Sequence, residues 1–480
     1  MLWLLLACAS RNPETGAPVT PPAAPAARLH ALPPALLHRV AQAGDLIGGV
    51  PLGGPGLTRD KMDGTTVLAG EWLISHFERS KAAAWRTRLG PDLVPIETAA
   101  IDTSALEGGY IFCAASVTPW GSHLGSEEYE PDAAMVGPDG ALVKTAERGR
   151  GPTEEVPDYG FSTGGFSSPY AVGWIWELST PTAAASPRRA LGRFSHELGV
   201  VLADQRTVYL SDDTYPADDK VAPAGGGGLY RFVSDRPGDL SAGELFAARI
   251  EGAVVSWVSL GHASEAELQG NPRFDELLER VIATPCPAGF DRALTWTGEE
   301  CLKVRPGQEA RASRFEARRY AAMKGASTGF TKTEGLAVGE GVLYLAVSSV
   351  LPPMSGLVAG LPDRAGGAIL AFPLDADGVA RSVRVEVADT IENPDNIAYV
   401  PGHGLFIAED TDARPEGRSN LWRWDGQRLH LLLESPPEHE LAGLNPVTVH
   451  GQGYLSLVYQ SGKGLSTVNL IGPLEAWNLR

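Results

Sequence analysis

With 480 residues, 43% of them hydrophobic and 20% charged, the chain has a globular composition and room for one large β domain or two or three ordinary ones. Its formal charge of −18 excludes a nucleic-acid backbone as partner, but anionic small molecules remain possible where bound cations reverse the local field. Glycine (56) and proline (37) are scattered between short apolar runs, which favours many strands and turns over long helices.

The chain opens on MLWLLLAC, a short apolar run that resembles a bacterial lipobox with Cys8 as the lipidated residue, although no basic segment precedes it. The stretch SRNPETGAPVTPPAAPAA reads as a Pro/Ala-rich tether. Residues 1–25 are therefore expected to be an export signal and tether, and residues 26–480 one folded domain outside the cytoplasm, in the periplasm or cell envelope or secreted. No later segment approaches the ~18 apolar residues of a membrane span.

Strand-like pairs then recur. The first ends in EWLISHFE. The second, CAASVTPWGSHLGSEE (113–128), sets a lone thiol on a strand, a tight Thr-Pro-Trp-Gly turn, and two adjacent carboxylates. Trp174 and Trp176 read as core. LGRFSHE (191–197) leads into a third pair ending in YLSDDT; its His196-Glu197 lacks the second histidine of a zinc-protease helix and sits in a strand. GGGG at 225–228 lacks the lysine of a phosphate loop and reads as a spacer. An insertion at about 262–325 follows, in which SEAELQGNPRFDELLERVIA and RASRFEARRYAAMK read as helices. The last three pairs end in VLYLAVSS, GLFIAEDT and GYLSLVYQ.

Polar residues fifteen apart mark the two ends of each pair: Asp63 and Glu78, Cys113 and Glu128, Glu197 and Asp212, Glu334 and Ser349, Asp395 and Asp410, Asn445 and Gln460. Two short strands rising about 3.3 Å per residue, with a turn, fill such a span and bring its ends side by side. Intervals near 50 residues match a four-stranded propeller blade. The expected fold is all-β, a six-bladed β-propeller with helical insertions, its polar ends converging on one mouth of the channel. Such residues also cap strands and make turns, but carboxylates so gathered are costly unless cations neutralise them. In an exported protein Cys286 and Cys301 are expected to be bridged. Cys113 is then unpaired, either a small buried side chain or a ligand.

These stretches together resemble the PhoX-type alkaline phosphatase family. CAASVTPWGSHLGSEE resembles its Cys-x4-Thr-Pro-Trp-Gly motif followed by Glu-Glu, and LGRFSHE, YLSDDT…GGLYRFVS, DLSAGELFAARI, KTEGLAV, NPDNIAYVPGHGLFIAED and NPVTVHGQGYLSLVYQ resemble its other elements in order, from about residue 57 to the C-terminus. The resemblance implies hydrolysis of phosphate monoesters by a cluster of Fe3+ and Ca2+ at the propeller mouth. Cys113, Glu197 and Glu334 would be iron ligands, and Glu128, Asp212, Asp395, Asn396 and Glu409 would surround calcium. Lys332 stands where the family commonly has arginine, and is expected to act with Glu334 and Cys113 in catalysis. Ser126 replaces a cysteine, and His76-Phe77-Glu78 replaces Asn-His-Glu. The expected partners are small phosphate esters, with the protein a monomer and membrane attachment through Cys8. Two other readings stand beside this one: a calcium-dependent lactonase-type propeller, suggested by NPDNIAYVPGHGLFIAED, and a non-catalytic binding propeller cemented by calcium. The first leaves Cys113 without a role, and Lys332 in place of arginine favours the second.

Overall fold

The computed structural model describes residues 26–477, apart from 58–59, 80, 136–166, 215–224, 353, 362, 365, 411–414 and 462. The proposed signal, tether and lipidated Cys8 lie outside the described residues. Six antiparallel sheets of four or five strands account for most of the chain. Each is built on an inner hairpin: Met62–Leu68 with Trp72–Phe77, Phe112–Val117 with His123–Glu127, and His196–Val201 with Thr207–Asp212. Then come Thr333–Gly339 with Val342–Val347, Pro394–Val400 with Gly404–Glu409, and His439–Val449 with Gln452–Ser461. Three of these hairpins turn through two left-handed residues, Ala69-Gly70, Glu340-Gly341 and His450-Gly451. Such turns match the right-handed twist of the strands they join.

The innermost strands touch one another in chain order, and the last touches the first. Each seam between neighbouring sheets has its own apolar cluster. Phe112, Trp176 and Ile74 join the first two sheets, for example, and Val458, Leu73 and Phe77 join the last to the first. Trp174 and Trp176 are fully buried core, as expected. The N-terminal strand Leu37–Gln42 pairs with Thr467–Ile471 and completes the sixth sheet. Cooperative burial along these seams, and not any single strand, closes the arrangement.

The insertion differs from its sequence reading. Of SEAELQGNPRFDELLERVIA only Phe274–Leu277 is helical. Asn271-Pro272 interrupts the run, and Leu278–Val281 pairs as a strand with Cys301–Val304. The second stretch is helical over Glu309–Phe315 and Ala317–Met323, broken at Glu316. Cys286 and Cys301 form the disulfide, and Cys113 is free and buried.

Candidate metal centre

One local device repeats around the mouth. All six inner hairpins carry a β-bulge at the same end, and a bulge re-aims a side chain out of the alternating pattern. The bulges fall at Asp63, Cys113, Glu197, Glu334 and Asp395, each facing the mouth, and at Gly443 in the sixth sheet. On the returning strand, the N–H of Glu78, Glu128, Asp213, Ser348 and Asp410 donates to the carbonyl of Lys61, Ile111, Ser195, Lys332 and Asn393 respectively. These five residues are therefore equivalent. Gly64 makes room beside the first bulge: a Cβ there would lie 2.6 Å from both the Cys113 carbonyl and His76 Nδ1.

That register sets two expected ligands, Asp212 and Glu409, apart from the other mouth residues. The residue opposite Glu197 is Asp213, not Asp212, because the bulged unit spans one residue more. The Asp212 carboxylate accepts from Thr214 Oγ1 at 2.7 Å and faces Arg318 Nε at 3.6 Å. Glu409 is also turned away, accepting from Glu392 N (2.9 Å), Asn420 N (3.2 Å) and Trp422 Nε1 (2.8 Å) inside its own sheet. Glu127 does the same with the N–H groups of Tyr110, Gly173 and Trp174. In the pairs Glu127–Glu128 and Glu409–Asp410 the first carboxylate thus fastens the sheet and the second reaches the mouth. Ser348, not Ser349, faces Glu334. Asn445 bonds the carbonyls of Thr65 and Ala115 within the channel, and Gln460 donates to Asp63 and Glu78. Asn396 sits behind Asp395, its Nδ2 on Asp395 Oδ1 at 2.9 Å.

The remaining groups form a continuous chain of possible ligands. Atoms of Cys113, Glu128 and Glu197 lie within 4.8 Å of one another, as do those of Glu197, Glu334 and Asp395, and of Asp395, Asp410 and Glu440. Cys113 Sγ is 3.2 Å from Glu197 Oε2. Glu440, from the sixth sheet, was not among the expected residues; it lies outside the bulge pattern that marked the others. Lys332 Nζ lies 2.7 Å from Asp213 Oδ2 and 2.8 Å from Glu334 Oε1, and Ser348 Oγ donates to the same Glu334 oxygen at 2.7 Å. Behind Cys113, His76 contacts its carbonyl through Nδ1 (2.7 Å) and His123 through Nε2 (2.9 Å), fixing the bulge.

Electrostatics here are unfavourable without cations. Burial, followed by neighbouring negative charge, pushes the Cys113 thiol and the carboxyls of Asp63, Glu128, Glu197 and Asp395 well above their ordinary values. Burial and Asp213 push Glu334 up to about 7. Asp213 is the exception: burial opposes its ionisation, but Lys332 outweighs it and holds the carboxyl low. Asp63 Oδ1, Glu197 Oε1 and Asp213 Oδ1 are buried and accept no hydrogen bond. A buried carboxylate oxygen without a donor fits a coordinated cation, so the residues present suit a multi-metal centre.

A model of the alkaline phosphatase PhoX family matches residues 59–355. Among solved structures, Pseudomonas fluorescens PhoX in complex with vanadate, a transition state analogue, is 15% identical with a TM-score of 0.58, covering 93% of this chain and 96% of its own. That likeness establishes a propeller-type, mostly β fold. A Xanthomonas campestris gluconolactonase, XC5397, aligns over 94% of this chain and 99% of its own at 14% identity, with a TM-score of only 0.39. No curated protein sequence matches the chain.

Proposed function

The chain belongs to the alkaline phosphatase PhoX family and is a metal-dependent phosphatase; from that premise we propose that it hydrolyses phosphate monoesters on an iron–calcium centre in the mouth of a six-bladed propeller. The observation that carries this reading is the chain of ligand atoms running from Cys113 to Glu440, in which the buried Glu197 Oε1 has no hydrogen-bond donor. A thiolate with carboxylates suits iron, which assigns Cys113, Glu128 and Glu197 to it, with Glu334 adjoining through Glu197. An all-oxygen set suits calcium, which assigns Asp395, Asp410 and Glu440 to it. When bound, such cations supply Lewis-acid polarisation of the phosphoryl group.

The protein's own side chains do the rest. Lys332 keeps 18% of its side chain exposed while its partners Asp213 and Glu334 are at 0% and 2%. Its ammonium therefore stands on the water-facing side of the carboxylates, where it offsets charge on the transferring phosphoryl group. Ser348 and Lys332 hold Glu334 in one orientation, and the His76–His123 pair holds the backbone of Cys113. The apolar start of the chain and the Cys286–Cys301 disulfide support action outside the cytoplasm, with attachment through Cys8 and a monomeric protein as the simplest form.

Elemental analysis with p-nitrophenyl phosphate hydrolysis at alkaline pH tests the reading. Iron and calcium together are expected, with activity lost to a calcium chelator and iron lost in Cys113→Ala. Stoichiometric calcium without iron, in protein produced with iron supplied, would overturn it.

A further inference from the structure

We propose that Tyr129 is a substrate-contacting residue whose phenol, with the Lys332 ammonium, forms a two-donor seat for the non-bridging oxygens of a phosphoryl group. The inference rests on the phosphatase reading above and adds a residue to it. Tyr129 follows the Glu127–Glu128 pair. Its hydroxyl donates to Asp213 Oδ2 at 2.6 Å, the oxygen that Lys332 Nζ also reaches at 2.7 Å, and the two donors are 3.3 Å apart. Nζ is 6.0 Å from the centroid of the phenol ring. The ammonium therefore stands at the hydroxyl end and not over the ring face.

Both residues are held in the left-handed region that side chains other than glycine rarely adopt, with φ of 51° for Tyr129 and 47° for Lys332. Each backbone is pinned there: Tyr129 N–H donates to Ser195 Oγ at 2.9 Å, and the Lys332 carbonyl accepts from Ser348 N at 3.0 Å. Two such residues, 203 positions apart and on different sheets, aim one donor each at a single spot. The equivalent Ile111 (φ 37°) and Asn393 (φ 46°) share the Lys332 conformation, so there it belongs to the bulge, whereas Tyr129 is held by its own contact with Ser195.

Asp213 Oδ2 takes both donors, and the Glu128 side chain also approaches this carboxylate. The Lys332–Tyr129 contact is the longest of the three. It is the gap through which an anionic oxygen can enter and take one hydrogen bond from each donor. A lysine offers a point charge without the planar fork of arginine. The phenol supplies the second donor that the fork would have given.

The test uses the full-length, metal-loaded protein, with orthophosphate binding by titration calorimetry and p-nitrophenyl phosphate kinetics. Tyr129→Phe is expected to weaken orthophosphate binding and raise KM by about tenfold or more, the effect of one hydrogen bond to a charged group. Metal content and unfolding midpoint should not change. Adding Lys332→Arg to Tyr129→Phe should restore binding, because one guanidinium presents both donors. Unchanged orthophosphate affinity in Tyr129→Phe overturns the seat. So does a loss accompanied by loss of metal, which would make the phenol only a support for Asp213. A wild type that binds orthophosphate through Tyr129 yet hydrolyses no monoester would overturn the phosphatase reading and leave the seat standing.

Discussion

Glu409 and Asp410 are adjacent carboxylates with opposite assignments, so exchanging each for its amide separates the sheet from the site. Glu409 is fully buried and accepts three hydrogen bonds, two from backbone N–H groups and one from the Trp422 indole. Glu409→Gln keeps the volume but sets an NH2 group against one of these donors. The lost charge-assisted bond and the unpaired donor together cost about 2–3 kcal/mol. Asp410 is exposed, and Asp410→Asn should change the stability of metal-free protein by less than about 0.5 kcal/mol. It removes a charged oxygen from the group it shares with Asp395 and Glu440. Calcium affinity should therefore fall by at least the roughly 10- to 100-fold that loss of an outer-shell partner costs. Urea unfolding of chelator-treated protein measures the first effect, and calcium titration of the folded protein the second. If Glu409→Gln lost calcium with stability intact, while Asp410→Asn bound calcium normally, the bulge register would be misassigned.

Two further outcomes follow from buried charge. In metal-free protein Glu334 titrates at about 7 in the fold against 4.5 as its ordinary value. Its folded value is raised, so its contribution is complete below about pH 4.5 and is lost as pH rises through about 7, a loss of about 3 kcal/mol from this group, to which the raised Asp63, Glu128, Glu197 and Asp395 add in the same direction. Urea unfolding from pH 5 to 9 should show that fall after chelation and not in the loaded protein; a metal-free protein that gains stability over this range would contradict it. Arg318, buried at 7% exposure, contacts Glu130, donates to Thr214 Oγ1 at 2.8 Å and faces Asp212. Arg318→Met strands two buried carboxylates and should cost about 3–5 kcal/mol, whereas a change under 1 kcal/mol would show that the insertion helix does not anchor these loops.

The hairpins were legible because apolar runs alternate with turn residues at a steady interval, and the mouth residues of the first strands were legible because polar types interrupt otherwise apolar strands. Their partners were less so. Counting fifteen finds Glu78, Glu128 and Asp410, but passes over Asp213 and Ser348, because the third and fourth hairpins differ by one residue in length. Bulges are set by how neighbouring sheets approach, as Gly64 does against Cys113, and a count along one strand cannot register that. Doubled carboxylates gave a usable signal: two in a row at a strand end cannot both point into the channel, so one must find donors in the sheet. Tyr129 carried no signal of its own, since its partners Asp213 and Lys332 lie 84 and 203 residues away. The insertion misled because PRFDELLERV has helical spacing, yet its second half finds a strand partner across the disulfide-closed loop.

Closing the six sheets forces the acids together whatever their charge. The favourable term lies in the apolar seams and in the N-terminal strand that completes the sixth sheet; the unfavourable term is confined to the mouth. There, among the described residues, the ammonium groups paired with the mouth acids are Lys332, on Asp213 and Glu334, and Lys61, 3.2 Å from Glu78. Arg319 is committed elsewhere, to Asp132, Glu300 and Glu316 beneath the insertion. Two ammonium groups cannot neutralise Asp63, Glu128, Glu197, Asp395 and Glu440 as well. The closed fold therefore has two ways to exist: with several of these acids and the Cys113 thiol protonated, or with cations in place of those protons. Loading must then release protons, and metal affinity must rise with pH for as long as the metal-free acids remain protonated.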